Sequence, residues 1–214
     1  MSTARIWSSK AQHAKTLAYY EDNARNYFKA THDADLSSIY RCFLREVPKG
    51  GRILDAGSGS GRDTAAFARR GYMVEAFDQS PSLCELSTEY TGIRARVRRF
   101  QDIDEKEEFD GIWACASLLH VPEKELREVI GRLVGALKTK GVLYMSFKYG
   151  ANERVAEDGR FFVDMTEERL WAVLQEVRKL KVQRVWRTLG EGKFEGRWEW
   201  LNALASKAGA LEEV

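Results

Sequence analysis

Residues 54–61, Leu-Asp-Ala-Gly-Ser-Gly-Ser-Gly, are the stretch of this sequence best suited to hold a charged ligand. Glycines at alternate positions (Gly57, Gly59, Gly61) let the backbone turn sharply and approach a bound group closely. A helix beginning just after them would present its free N–H groups to that ligand. Such a turn points to a nucleotide-type cofactor. The spacing here is G-x-G-x-G, whereas the dinucleotide fingerprint reads G-x-G-x-x-G. Asp55 adds a fixed carboxylate before the first glycine, which would repel a pyrophosphate and suit the ammonium of a methionine moiety. Asp78 follows about 20 residues beyond the turn, where a carboxylate at a strand end lies beside a ribose.

The run Ile53-Leu54-Asp55-Ala56-Gly57-Ser58-Gly59-Ser60-Gly61-Arg62-Asp63 resembles the class I methyltransferases, in particular the small type 11/12 or tellurite-resistance-methyltransferase-like group. Phe77-Asp78-Gln79-Ser80, Phe109-Asp110-Gly111-Ile112-Trp113 and Leu137-Lys138-Thr139-Lys140-Gly141-Val142-Leu143 carry the same likeness, which covers about 50–150. Thr139-Lys140 departs from the Pro-Gly of many relatives, in a turn that touches no chemistry. The resemblance implies S-adenosylmethionine as cofactor and S-adenosylhomocysteine as product. It implies that Asp55, Gly57, Ser58 and Gly59, with Ala56, Gly61 and Arg62, surround the methionine part. By the same likeness Asp78, with Gln79 and Ser80, takes the ribose, Asp102 and Ile103 end the third strand near adenine, and Ala116 borders the pocket after the fourth strand. Tyr19, Tyr20 and Tyr27 of the N-terminal segment would close over the cofactor, with core packing as the alternative.

On the substrate side the candidates are weaker. His120 is either a general base, as Tyr27 is a second catalytic candidate, or a residue that packs the loop before Pro122. Cys115 lacks the preceding proline of cytosine-C5 enzymes and reads as a small core residue within the fourth strand. No Asn/Asp-Pro-Pro-Tyr of the DNA amino-methyltransferases is present there. Lys148, Tyr149, Arg154, Arg160 and Arg197 are the candidate substrate residues, set among aromatics such as Phe161, Trp198 and Trp200. Arginine beside aromatic rings suits an anionic or planar substrate, or stacked nucleotides. Arg94, Arg96, Arg98 and Arg99 read as charges that protect a sheet edge. No metal-ligand constellation is apparent.

The elements that must position these residues follow from periodicity. Helical spacing covers about 12–30 and, from an Asp35 cap, Leu36, Ile39, Tyr40 and Phe43. Short apolar runs at 53–56, 73–77, 94–100, 111–116 and 142–147 then alternate with helices, and Thr166 caps another. Two last strands near 181–189 and 196–206, joined by a short glycine-bearing link, should pair antiparallel. The expected fold is α/β and Rossmann-like: a mostly parallel seven-stranded sheet with a C-terminal antiparallel hairpin and helices on both faces. One domain is expected over 1–214: a helical lid (1–50), a cofactor-binding core (51–150) and a substrate-side part (151–214).

Composition narrows the function classes. Lys and Arg (34) nearly balance Asp and Glu (32), which argues against attachment to nucleic acid or membrane by bulk charge. The cysteines Cys42, Cys84 and Cys115 are scattered, and no signal or spanning segment is read, so the expected location is cytoplasmic. The expected activity is methyl transfer to an O, N or S atom of a small molecule. Methylation of nucleic acid or protein, and a non-catalytic cofactor-binding subunit, stand as alternatives; the oligomeric state is left open. A nicotinamide oxidoreductase is disfavoured by the glycine spacing and Asp55.

Overall fold

The computed structural model describes residues 9–192 and 196–209. Five strands pair in parallel: β1 (Arg52–Ala56), β2 (Met73–Asp78), β3 (Ala95–Val97), β4 (Phe109–Ala114) and β5 (Leu137–Lys148). A second, two-stranded sheet pairs β6 (Glu153–Val155) with β7 (Phe161–Val163). β8 (Leu180–Gly192) and β9 (Gly196–Lys207) then close the large sheet, with β9 antiparallel to both β5 and β8. The strand order β3-β2-β1-β4-β5-β9-β8 is the expected seven-stranded arrangement. Chain order reverses between β1 and β4, so a crevice opens beyond their carboxyl ends.

Side chains alternate across the sheet, and the two faces have separate cores. Ile53, Trp113 and Tyr144 point to one face, where they meet Tyr40 and Phe43 of α2 (Ser37–Leu44) and Phe67 of α3 (Arg62–Ala68). Leu54, Ile112 and Leu143 point to the other, against Leu126 and Leu133 of α5 (Glu123–Ala136) and Leu170 and Leu174 of α6 (Glu167–Gln175). Both faces are covered, which is why the central strands read as apolar runs. α4 (Pro81–Thr91) covers β2 and β3 through Cys84. α1 (Ser9–Thr31) lies over the carboxyl ends of the strands and touches α4 and β7. No helix among the described residues is long and apolar enough to cross a membrane.

Four local expectations are corrected. The third strand spans only Ala95–Val97, because Arg98 turns away to the carboxylates of Asp104 and Glu105. A 3-10 turn (Phe100–Asp102) follows, so Asp102 and Ile103 lie beyond the strand rather than at its end. Cys115 stands one residue past β4, and Leu36 rather than Asp35 occupies the α2 cap position; Asp35 instead accepts the Ser37 N–H at 2.8 Å. The β6–β7 hairpin is absent from the pattern reading, since its three-residue strands carry no resolvable period.

Phe43 is fully buried and its ring lies 5.1 Å from that of Trp113, fastening α2 to the sheet. Phe43→Ala should cost about 3–5 kcal/mol, read as a lowered denaturant midpoint at unchanged slope. A loss below ~1 kcal/mol would mean that α2 is not held by this contact.

Candidate functional site

β1 ends at Ala56 and the chain enters the glycine turn with Gly57 at φ +79°, Gly59 at +52° and Gly61 at +78°. All three lie in the left-handed region that side chains resist. Gly57 and Ser58 both donate to the Phe77 carbonyl at 2.9 Å, which ties the turn to β2. A Cβ on Gly57 would sit 2.4 Å from Ser117 Cβ, and Ser117 itself donates to the Ala56 carbonyl at 2.7 Å. On Gly61 a Cβ would meet Ser87 Oγ of α4 at 2.4 Å, so that glycine serves packing.

Asp78 finishes β2. Its carboxylate accepts Gly59 N–H through Oδ2 and Ser80 N–H through Oδ1, each at 2.9 Å. Burial raises its carboxyl above the ordinary range, while those N–H bonds work the other way. Ser80 caps α4 by accepting Leu83 N–H, and donates to Glu21 of α1. Ser82 Oγ also donates to Glu21, at 2.8 Å. An acid at the α4 N-terminus thus draws α1 down beside the glycine turn.

Beneath the turn lies a buried polar cluster. Asp63 accepts from Arg62 Nε at 2.7 Å, from Trp113 Nε1 at 2.8 Å and from the Tyr40 hydroxyl. These donors hold its carboxyl below the usual range despite burial. Asp55, 1% exposed, accepts Thr64 Oγ1 at 2.6 Å. Burial, and then the Asp63 charge, push its carboxyl up to about 8. Arg62 reaches on to Cys115 Sγ at 3.8 Å, and burial pushes that thiol up to about 12, which suits no nucleophile.

One cavity of roughly 1290 Å³ extends from this turn to the β7 side of the sheet, lined by α1 from His13 to Thr31. Gly57, Ser58, Gly59, Arg62, Asp78, Gln79, Ser80 and Ala116 line one half. Ala116 holds the left-handed φ of +51° and donates to Ser146 Oγ at 2.8 Å. Tyr27 faces Gly59, where a Cβ would lie 3.3 Å from its ring, and burial pushes its phenol up to about 12. Tyr20 packs edge-on against Tyr27 at 5.2 Å and its hydroxyl lies 2.9 Å from His120 Nε2. His120 Nδ1 in turn lies 2.6 Å from the Phe161 carbonyl. A carbonyl only accepts, so Nδ1 carries the proton and Nε2 accepts from Tyr20. Burial first, then the charges of Arg160, Lys148 and His13, lower His120 to about 4.

In the other half, Lys148 Nζ sits 4.7 Å from the Phe162 ring and 4.9 Å from that of Trp198. Arg160 lies over Tyr19 at 4.3 Å and donates to Asp158 at 2.7 Å. Of the other expected site residues, Asp55, Ala56 and Gly61 lie under the turn rather than in the cavity wall. Asp102 pairs with Arg99 at 2.6 Å on the surface, and Ile103 is core; Phe100 and Gln101 line the cavity instead. Tyr149 lies under Arg187, and Arg154 is paired with Asp164 at 2.6 Å; neither lines the cavity. The Arg197 side chain lies outside the described residues. Pattern reading missed Asp63, Phe100, Ser117, Ser146 and Phe162; the acid beside Arg62 was the one legible signal among them.

Asp55→Asn isolates one of these environments. A folded-state pKa raised to about 8 from an unfolded value near ~4 favours folding below that value and loses its effect as pH rises through 8. Wild-type stability should therefore fall relative to Asp55→Asn between about pH 4 and 8, by at least ~1 kcal/mol, in paired denaturant titrations. A gap independent of pH would exclude a protonated Asp55.

A family model described as a methyltransferase domain matches residues 53–141, which hold the glycine turn, Asp78 and Ala116. The ubiquinone biosynthesis O-methyltransferase of Xanthomonas axonopodis pv. citri is 30% identical over 109 residues, 48% of this chain and 45% of that protein. The chain thus spans about half the length of the curated relatives it matches. Among solved structures, the Burkholderia thailandensis 1,6-didemethyltoxoflavin-N1-methyltransferase superposes with a TM-score of 0.78 at 20% identity, over 97% of this chain and 94% of that one. A TehB-like methyltransferase of Corynebacterium glutamicum gives 0.61 at 20% identity, over 92% and 99%. Residues 53–141, with the glycine turn and Asp78, thus match a methyltransferase domain, and the seven-stranded sheet has the fold of these methyltransferase structures.

Proposed function

We propose that this chain transfers a methyl group from S-adenosylmethionine to an O, N or S nucleophile of a small molecule, leaving S-adenosylhomocysteine. The observation that carries this reading is a continuous cavity, which joins the glycine turn to a second, aromatic-walled half under α1. The ubiquinone O-methyltransferase and toxoflavin-precursor likenesses support it.

The residues present fit the cofactor. Ser58 Oγ, His13 Nε2 and Trp198 Nε1 of the cavity wall are buried with no hydrogen-bond partner among the described residues, which a ligand would supply. In this reading Gly57, Ser58 and Gly59, backed by Asp55, Ala56, Gly61 and Arg62, hold the methionine part. Asp78, Gln79 and Ser80 hold the ribose, and each Asp78 oxygen keeps a lone pair beyond its backbone bond. Phe100 and Gln101, ahead of Asp102 and Ile103, flank the adenine, and Ala116, Tyr20 and Tyr27 close the pocket. Bound there, S-adenosylmethionine supplies an electrophilic methyl on a sulfonium. The chain's own part is to position the acceptor and exclude water, which is worth about 7–11 kcal/mol when the geometry is good. Lys148 and Arg160, with Phe162 and Trp198, would hold the acceptor. A small acceptor suits a site covered by α1, and Arg96, Arg98 and Arg99 at the β3 edge are already paired with Glu75, Glu105 and Asp102.

Calorimetric titration with S-adenosylhomocysteine and, separately, NAD tests this directly. The homocysteine product should bind at micromolar strength and NAD should not. Asp78→Ala removes a charged acceptor and should weaken binding by roughly 10–100-fold. Gly59→Val places a branched side chain against Tyr27 at a positive φ and should abolish it. Binding of NAD alone, or of neither ligand, would reject the reading.

A further inference from the structure

We infer that Tyr20 and His120 form a proton relay for the acceptor, with Tyr20 Oη touching the nucleophile and His120 Nε2 receiving the proton from behind it. The inference rests on the methyl-transfer reading and says which acceptors need the chain's chemical help: those whose nucleophile still carries a proton.

The geometry fixes the direction. The Phe161 carbonyl accepts His120 Nδ1–H at 2.6 Å, which leaves the Nε2 lone pair for the Tyr20 hydroxyl at 2.9 Å. Thr16 Oγ1 accepts Phe161 N–H at 2.9 Å, so the strand that orients His120 is fastened to the helix that carries Tyr20. From Gly59 the contacts run to Tyr27, to Tyr20 and to His120, which puts the Tyr20 hydroxyl on the acceptor side of the glycine turn. Both Tyr20 and His120 line the cavity.

The step balances. The acceptor's lone pair forms the bond to the methyl carbon and the C–S pair returns to sulfur. The acceptor's proton passes to Tyr20 Oη as Tyr20's own proton passes to His120 Nε2. One positive charge is lost at sulfur and one appears on the imidazolium, so the net charge of the buried site does not change. Tyr20 is the catalytic residue, and His120 acts through it. The charged and titratable groups facing His120 are His13 and Tyr20 of α1, Lys148 of β5 and Arg160 beside β7. These groups and burial keep it neutral above about pH 4. The base form is therefore present across the physiological range.

Labelled S-adenosylmethionine is offered with 3,4-dihydroxybenzoate, whose hydroxyl must lose a proton, and with iodide, which has none. Tyr20→Phe should lower the ratio of the two rates about 100-fold. His120→Gln should lower it similarly, and the double variant should be no worse than the poorer single, as for residues that act as a unit. An unchanged ratio, or losses that multiply, would overturn the relay. A second readout needs no turnover: 15N spectra of the three histidines in the protein loaded with S-adenosylhomocysteine. His120 should appear as the neutral Nδ1–H tautomer from pH 5 to 8. An Nε2–H tautomer, or titration near the ordinary histidine value, would refute the relay. Failure of the wild type to bind S-adenosylhomocysteine would instead count against the methyltransferase reading.

Discussion

Asp63 is 5% exposed directly under the cavity, and Arg62, Tyr40 and Trp113 converge on it from three elements. A buried carboxylate without partners costs several kcal/mol, so each of these donors is committed to its place. Tyr40 fixes α2 over the sheet, and Trp113 fixes its own rotamer at the end of β4. Arg62 is held at the first turn of α3, where it forms part of the cavity wall. The same anion has a cost for its neighbour: with Asp63 ionised and paired, Asp55 is left as the member that keeps its proton. One ionised, paired acid and one neutral acid below a single turn give that turn a nearly charge-balanced floor.

Above that floor the two halves of the cavity differ in their chemistry. The glycine-turn half presents Asp78, Ser58 and the closely approaching backbone of the turn beside Tyr27, Phe77 and Phe100. The other half presents Lys148 and Arg160 against Phe162, Tyr19 and Trp198. α1 is the shared wall, and its tyrosines stand at the boundary between the halves.

The fold and the glycine-turn half were largely legible in the sequence because the signals there are local. Gly57, Gly59 and Gly61 announce positive φ within a few residues, and Ile53-Leu54 before them can only be a buried strand. The C-terminal pair was legible from its short link. The other half was not, and the reason is separation along the chain. His120 takes its meaning from Tyr20, 100 residues away, and from the Phe161 carbonyl, 41 residues away. Cations that crowd the C-terminal third look alike in sequence, yet Arg154 is spent on Asp164 and, among the described residues of that third, Lys148 and Arg160 reach the cavity. The Asp102–Ile103 shift arose because Arg98 ends β3 early by turning to acids several residues ahead, a competition that strand periodicity does not record.

α1 is hydrogen-bonded on both sides of the cavity: Glu21 to Ser80 and Ser82 of α4, and Thr16 to Phe161 of β7. A single rigid bar therefore covers two chambers. Displacement of that one bar alters both chambers at once, since it forms a wall of each. Loosening either fastening disturbs both chambers together, so the bonds of α1 couple the two halves of the cavity.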